Sequence, residues 1–425
     1  MKILLKNTSI LQSGCKEPIF GSVLIENDLI THVGDIKEVP GVDKIIDGSA
    51  FVAIPGLVNS HTHCAMSILR NSADDLSFDD WLYTKIIPNE RKLSAEDIYW
   101  GTLLGICEMV RSGVTCFNDM YMHTESVAQA VYESGIRANL SYGPVTSAAR
   151  GEPEFIDESK CLSFINKWHG RGNILSGIEI HSMYLYDKKS IIKACALAKS
   201  LGISVHTHFA ESLFELEYCR EKYNLTPVEA AYECGMFEVP VVAAHCVHIS
   251  DSDIGILKSF NVSPVHCPSS NLKLGNGFAP VKKMIDAGLN VCIGTDGCAS
   301  NNNLNMLEEM HLAALIHKGL NSDPQCMPAS LIIDMATVNG AKAAGFDNTG
   351  SIIPGNKADI SLIDISKVHM SPVNNIKSSL IYSAQASDVD TVIVGGKILM
   401  ENRVISFVDE DAVIKKVKEI TKKLS

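Results

Sequence analysis

The chain has 425 residues, 46% of them hydrophobic and 20% charged, which is enough for one large domain and a smaller one. Its formal net charge is −12 and it has no basic stripe, so we predict no nucleic-acid-binding surface. No apolar run approaches the roughly 20 residues that a membrane helix needs, and the polar start of the chain is unlike a signal peptide.

The thirteen cysteines are scattered, mostly within apolar runs, and no two of them form a Cys-x-x-Cys pair. This pattern argues against a structural zinc knot and against a redox-active thiol pair. An odd number of thiols in a chain of this length is typical of a reducing compartment. We therefore predict a cytoplasmic protein.

The first 54 residues predict β-structure without helices. Short stretches rich in β-branched residues run from Ile3 to Asn7, from Ser22 to Glu26 and from Ile30 to Val33. A turn signal of the hairpin type, Asn27-Asp28, separates the last two stretches. The chain therefore begins with several strands of a small sheet.

From Leu57 onward, short apolar runs alternate with amphipathic segments of helix length, many of which end in glycine. The runs are Leu57–Asn59, Val114–Asn118, Arg137–Tyr142, Ile174–Ile180, Ile203–His208, Val241–His245, Val262–His266 and Asn290–Thr295. Eight alternating units predict an α/β fold of the (β/α)₈ or TIM-barrel type. The wide gaps after the first and third runs predict long loops over the mouth of the barrel.

The β-pattern returns near residue 350. Ala358–Asp364 alternates and Val389–Val394 is a second strand, followed by a Gly-Gly turn and, at the end of the chain, a polar helix. The simplest assembly joins both chain ends. We predict one composite β-sandwich domain of residues 1–54 and 350–425, beside a catalytic barrel of residues 55–349.

Histidine or aspartate follows five of the eight predicted barrel strands, at the end where barrel enzymes place their chemistry. The residues are His61 and His63 after strand one, His181 after strand four, His206 and His208 at strand five, His245 at strand six and Asp296 at strand eight.

Four of these residues predict a metal site. His61 and His63 are two residues apart and therefore project from one face of a strand. With His208 and Asp296 they make a set of three nitrogens and one carboxylate. Such a set suits one Zn²⁺, with Fe²⁺ as the alternative, and leaves a position for water. Strand four ends without a lysine that could bridge two ions, which favours a single metal.

The neighbouring residues suggest proton transfer. A bound divalent ion lowers the pKa of water from about 15.7 toward ~7. Asp296 can accept the proton that such a water releases, and Glu211, three residues after His208, can carry a proton to the substrate. His245 can polarise the attacked centre. His206 lies one pleat deeper than His208, and we interpret it as a packing or supporting residue.

The chain resembles the amidohydrolase superfamily over nearly its full length. The motifs that carry the resemblance are Pro55–His63, His206–Glu211, Ala244–Cys246 and Gly294–Gly297. Within that superfamily it is most similar to the 5-methylthioadenosine/S-adenosylhomocysteine deaminases. The stretches that point there are Leu69–Trp81, Ile87–Glu90 and Ser270–Gly277.

The resemblance implies hydrolytic deamination of a purine nucleoside to its inosine analogue and ammonia. Glu90 would hold the ribose hydroxyls and His181 would reach the ribose end. Glu211 would protonate a ring nitrogen while activated water attacks C6 of the adenine. Asp296 would take the water proton and help deliver it to the departing ammonia.

One position departs from the family pattern. Family members can place arginines after strand three to bind the homocysteine carboxylate, and here the only nearby arginine is Arg150. Arg150 either fills this role or is a solvated loop residue.

Two alternatives to this function stay open: a related enzyme acting on guanine, a pterin or an s-triazine, and a non-catalytic scaffold. The sequence also leaves open whether the chain forms a homo-oligomer.

Overall fold

The computed structural model describes residues 1–36, 39–143 and 156–424. The strands in these segments are β1 (Lys2–Ile10), β2 (Ile19–Glu26), β3 (Leu29–Gly34), β4 (Lys44–Asp47), β5 (Phe51–Pro55), β6 (Leu57–Thr62), β7 (Val114–Met120), β8 (Arg137–Tyr142), β9 (Ile174–Glu179), β10 (Val205–Phe209), β11 (Val241–His245), β12 (Ser263–His266), β13 (Cys292–Ile293), β14 (Ile360–Asp364), β15 (Val389–Val394), β16 (Lys397–Glu401) and β17 (Val404–Ile405). The α-helices are α1 (Ile87–Glu90), α2 (Ala95–Arg111), α3 (Thr124–Ser134), α4 (Glu158–Trp168), α5 (Lys188–Leu201), α6 (Leu213–Tyr223), α7 (Pro227–Glu233), α8 (Asp251–Ser259), α9 (Pro268–Lys273), α10 (Val281–Asp286), α11 (Met306–Asn321), α12 (Ala329–Met335), α13 (Val338–Ala344), α14 (Ile376–Tyr382) and α15 (Glu410–Thr421).

Strands β6 to β13 form the predicted barrel. Each strand pairs in parallel with the next one along the chain, and every predicted run overlaps one of them. The barrel closes where β13 meets β6, because the backbone N–H of Asp296 donates to the carbonyl oxygen of His61 at 3.0 Å. A Cβ atom at Gly294 would lie 2.7 Å from the His61 nitrogen, so only glycine allows this close approach. The prediction of a (β/α)₈ barrel is confirmed.

Both ends of the chain share one mixed sheet of nine strands. Its order is β17-β16-β15-β14-β5-β1-β2-β3, with β4 paired to β1. The predicted turn between β2 and β3 is present, with Asn27 at a φ of 57°. The small β-region built from both termini is therefore confirmed.

This sheet separates two apolar cores. Side chains alternate between the two faces of its strands. Val392 therefore packs into the barrel core, while Ile393 packs into a second core on the other face of the sheet. The second core combines strands from the start and the end of the chain. We propose on this basis that residues 1–54 and 350–425 form one domain and residues 55–349 the other.

The segment between β6 and α2 covers the mouth of the barrel. The sequence predicts a long loop here, but the segment is largely helical, with a 3₁₀-helix at Cys64–Leu69 and a π-helix at Asp80–Ile86 that continues into α1. The indole N–H of Trp81 donates to the carbonyl oxygen of Ala299 at 3.1 Å, which ties the π-helix to the loop after β13. Most of the second predicted long loop, after β8, lies outside the described residues.

Within the described segments, no helix combines the length and the apolar character that crossing a bilayer requires. All thirteen cysteines lie in these segments and are unpaired.

Candidate metal centre

The structure brings His61, His63, His208 and Asp296 together at the barrel mouth, with one ligand atom of each lying within 4.8 Å of the others. His61 Nε2 and His63 Nε2 each lie 3.3 Å from Asp296 Oδ1. His63 Nε2 lies 3.1 Å from His208 Nε2. A tetrahedral site with Zn–N bonds of about 2.0–2.1 Å places its ligand atoms roughly 3.3 Å apart. The spacing therefore fits a divalent ion between the four side chains.

Hydrogen bonds orient the histidine rings. His63 Nδ1 lies 2.7 Å from the Met120 carbonyl oxygen, and His208 Nδ1 lies 2.8 Å from that of His181. A carbonyl can only accept, so each Nδ1 carries a hydrogen, and each ring in its neutral form presents an Nε2 lone pair. Two such lone pairs 3.1 Å apart repel unless a proton or a metal ion lies between them. His61 Nε2 is also buried without a hydrogen-bond partner, so the donor set fits a metal ion.

His206 lies behind one of these histidines. Its Nε2 is 2.9 Å from His61 Nδ1. Burial, with the neighbouring histidines, holds the pKa of His206 well below its ordinary value, so its ring is neutral and can accept this bond. His61 then donates from Nδ1 and keeps its Nε2 lone pair for the ion. Outer partners of this kind fix the orientation of a metal-binding histidine.

Asp296 is held on both carboxylate oxygens. Its Oδ1 accepts from the backbone N–H of Gly297 at 2.7 Å, and its Oδ2 accepts from the hydroxyls of Ser270 and Ser300 at 2.7 and 2.6 Å. The backbone of Asp296 has a φ of 64°, a left-handed conformation that costs energy for a residue with a side chain. Together, this backbone conformation and these hydrogen bonds direct Asp296 Oδ1 toward the histidine nitrogens.

Glu211 and His245 face the same space. Asn276 Nδ2 donates to Glu211 Oε1 at 3.0 Å, and Glu211 Oε2 lies 3.8 Å from His245 Nε2. His245 Nδ1 lies 2.9 Å from Asn271 Oδ1, an oxygen that only accepts, so this Nδ1 carries the hydrogen. Burial raises the pKa of Glu211, which favours its proton-carrying form closer to neutral pH. The pair is suited to proton transfer and polarisation.

One cavity joins these groups to two further predicted residues, Glu90 and His181. The remaining walls are largely apolar or aromatic and include Met66, Phe78, Trp81, Leu82, Ile86, Ile87, Met120, Met122, Tyr184 and Leu185. The helical segment between β6 and α2, which we call the helical cover, supplies many of these side chains.

Glu90 closes the last turn of α1 and is only 4% exposed. Burial raises the pKa of Tyr121, and so does the Glu90 carboxylate beside it. A carboxylate offers about four lone-pair sites, so Glu90 can accept several hydrogen bonds at once. Arg150, the other predicted substrate contact, lies outside the described residues.

Sequence reasoning missed the side chains that support the predicted ones. Asn271 and Asn276 belong to the stretch that carries the family resemblance, but that stretch suggested no role for them. Ser270 begins the same stretch and Ser300 lies outside it, and neither serine suggested a role, because serines are common near strand ends and turns.

A family model described as the amidohydrolase family matches residues 52–399. The 5-methylthioadenosine/S-adenosylhomocysteine deaminase of Acetivibrio thermocellus is 48% identical and covers 100% of both chains. A crystal structure of an adenosine deaminase from Xanthomonas campestris with bound zinc has a TM-score of 0.92, with 28% identity, and covers 99% of this chain and 98% of that one. The atrazine chlorohydrolase of Arthrobacter aurescens, complexed with zinc, shares the fold at a TM-score of 0.92 and 23% identity, covering 99% of this chain and 100% of the other.

Proposed function

Because this chain belongs to the amidohydrolase family, we propose that it is a metal-dependent hydrolase that deaminates adenine nucleosides. Its substrates are 5′-methylthioadenosine and S-adenosylhomocysteine, with adenosine as a further candidate, and its products are the inosine analogue and ammonia. The observation that carries this proposal is a single cavity. It is lined by three residues of the cluster (His63, His208 and Asp296), by Glu211 and His245, and by the buried carboxylate of Glu90.

The four side chains of the cluster, His61, His63, His208 and Asp296, hold one divalent ion. The assignment of zinc is supported by the ligand set and by the zinc in related structures. Such an ion, when bound, lowers the pKa of coordinated water toward ~7.

The residues around the cluster divide the proton transfers. The carboxylate of Asp296 accepts the proton lost by water, because its Oδ1 faces the centre of the cluster. Glu211, whose pKa burial raises, delivers a proton to the purine ring nitrogen. His245 directs Nε2 toward Glu211 and polarises the attacked centre.

A neighbouring part of the same cavity binds the sugar. Glu90 accepts two hydrogen bonds from the ribose diol, and His181 contacts the same end of the substrate. The apolar walls suit a methylthio group. Arg150 is proposed as the contact for the homocysteine carboxylate. We also propose a cytoplasmic enzyme, acting alone or as a homo-oligomer on a small molecule, with no nucleic-acid or membrane partner.

Glu90→Ala is expected to reduce kcat/KM for 5′-methylthioadenosine by about 100-fold or more, while the protein keeps its metal. Two hydrogen bonds to a charged group contribute about 1.5–3 kcal/mol each, and both are lost. The measurement is ammonia release together with metal content. Glu96→Ala is the matched control, because that side chain is 67% exposed on α2 and should leave turnover unchanged.

The same assay separates the rival substrates. Guanine, pterins and s-triazines lack ribose, so an enzyme built for them does not need Glu90. A wild-type protein that releases ammonia from guanine but not from methylthioadenosine, adenosine or S-adenosylhomocysteine would contradict the proposal. Unchanged nucleoside turnover in Glu90→Ala would remove the assigned ribose contact.

A further inference from the structure

Glu309 is a buried carboxylate that the proposed mechanism does not use. It lies on α11 and is 0% exposed. Its Oε1 accepts from Asn301 Nδ2 at 2.8 Å, and its Oε2 accepts from the backbone N–H of Ser269 at 3.1 Å. These partners come from different segments, since Ser269 lies in the first turn of α9 and Asn301 follows β13. One carboxylate therefore ties two segments together.

Each partner adjoins a serine that holds the metal-binding carboxylate. Ser270 follows Ser269, and Ser300 precedes Asn301. Both serine hydroxyls donate to the same oxygen, Asp296 Oδ2, at 2.7 and 2.6 Å. The connection thus runs from Glu309 through neighbouring backbone to two hydroxyls that converge on one atom.

The partners explain why a carboxylate is needed at this place. Both groups that reach Glu309 are N–H donors, and Asn301 uses the other hydrogen of its amide on the Thr295 carbonyl oxygen at 2.8 Å. An ionised carboxylate is an acceptor on both oxygens. A glutamine would set its own NH₂ group against one of the two donors and leave that buried donor unsatisfied.

We propose that Glu309 is a positioning residue for Asp296 and acts through Ser270 and Ser300. By joining the two segments it keeps both hydroxyls on Oδ2, which leaves Oδ1 directed at the histidine nitrogens 3.3 Å away. A ligand that is already oriented loses less freedom when the ion binds. The inference rests on the proposed function, because it takes Asp296 to be a metal ligand of the deaminase.

The test compares Glu309→Gln with Glu308→Gln, the same change at the neighbouring exposed position of α11. We expect the affinity of Glu309→Gln for Zn²⁺, measured by competition with a chromophoric chelator, to fall about tenfold, as is typical for outer partners of metal ligands. The kcat for ammonia release should fall by a similar factor with KM unchanged. Glu308→Gln should match the wild type in both measurements.

Ser300→Ala separates positioning from a general loss of stability. If Glu309 acts through this hydroxyl, then adding Glu309→Gln to Ser300→Ala should cost much less zinc affinity than it costs in the wild type. Losses that add in full, or a normal zinc affinity in Glu309→Gln, would overturn the proposal. If Glu309→Gln does not fold, Asn301→Ser removes the same tie from its other end, and a normal zinc affinity there is equally contrary.

The zinc measurement also tests the role of Glu309 separately from the proposed function. A wild-type protein that binds zinc but releases no ammonia from nucleosides would contradict the proposed function. The affinities of the variants would still decide the role of Glu309.

Discussion

Glu211→Gln is expected to lower kcat for nucleoside deamination by about 10³-fold, within the range that general acid–base catalysis contributes. The amide cannot carry a proton to the purine ring. Its oxygen can still accept the bond that Asn276 Nδ2 makes at 3.0 Å, so the side chain should keep its place. Initial rates of ammonia release and the metal content of the purified variant check both parts of this expectation.

Glu217→Gln is the matched control, because Glu217 is exposed on the same helix, α6, that follows Glu211. It should retain full activity. Wild-type turnover in Glu211→Gln would show that the proton reaches the ring by another path. A variant that has lost its metal would show instead that Glu211 maintains the metal site.

Asp296→Asn is expected to lose activity by at least about 10³-fold for a different reason, namely loss of the ion together with the proton acceptor. The substitution removes the negative charge 3.3 Å from two histidine nitrogens. Outer partners alone contribute 10–100-fold to metal affinity, so we expect the loss of a ligand charge to cost at least about 100-fold. The serine hydroxyls can accept as well as donate, so they can bond to the new NH₂ group and the fold should survive.

The readouts are zinc affinity, ammonia release and the circular dichroism spectrum. Asp286→Asn serves as the control, since that carboxylate is 61% exposed in a surface ion pair. An Asp296→Asn protein with normal zinc affinity would remove this residue from the ligand set. A variant that binds zinc weakly but turns over normally at saturating zinc would remove its role as proton acceptor.

The barrel could be predicted from sequence because its strands are buried on both faces. Such strands read as short continuous apolar runs, and eight of them alternate with helix-length segments. The four cluster residues could be predicted for a related reason. In a (β/α)₈ barrel the C-terminal ends of all strands meet at one rim, so histidines at the ends of β6 and β10 and an aspartate after β13 must lie near each other.

The supporting residues could not be predicted in this way. Ser270 bonds to Asp296 from 26 positions away, and no periodicity marks a hydroxyl for such a contact. Glu309 lies on a helix whose pattern shows only that one face is buried, not that a carboxylate on that face meets two N–H groups. The helical cover was also missed, because the pattern between β6 and α2 lacks the regular spacing of an amphipathic helix. Trp81 instead fixes that segment through a long-range bond to Ala299.

A metal titration tests most directly whether the protein is a single-metal deaminase. The protein is freed of metal with a chelator, Zn²⁺ is added in steps, and ammonia release from 5′-methylthioadenosine is measured at each step. We predict no activity without metal and a linear rise that ends at one ion per chain. Activity that survives complete metal removal, a plateau at two ions per chain, or no ammonia at any zinc level would contradict a single-metal deaminase.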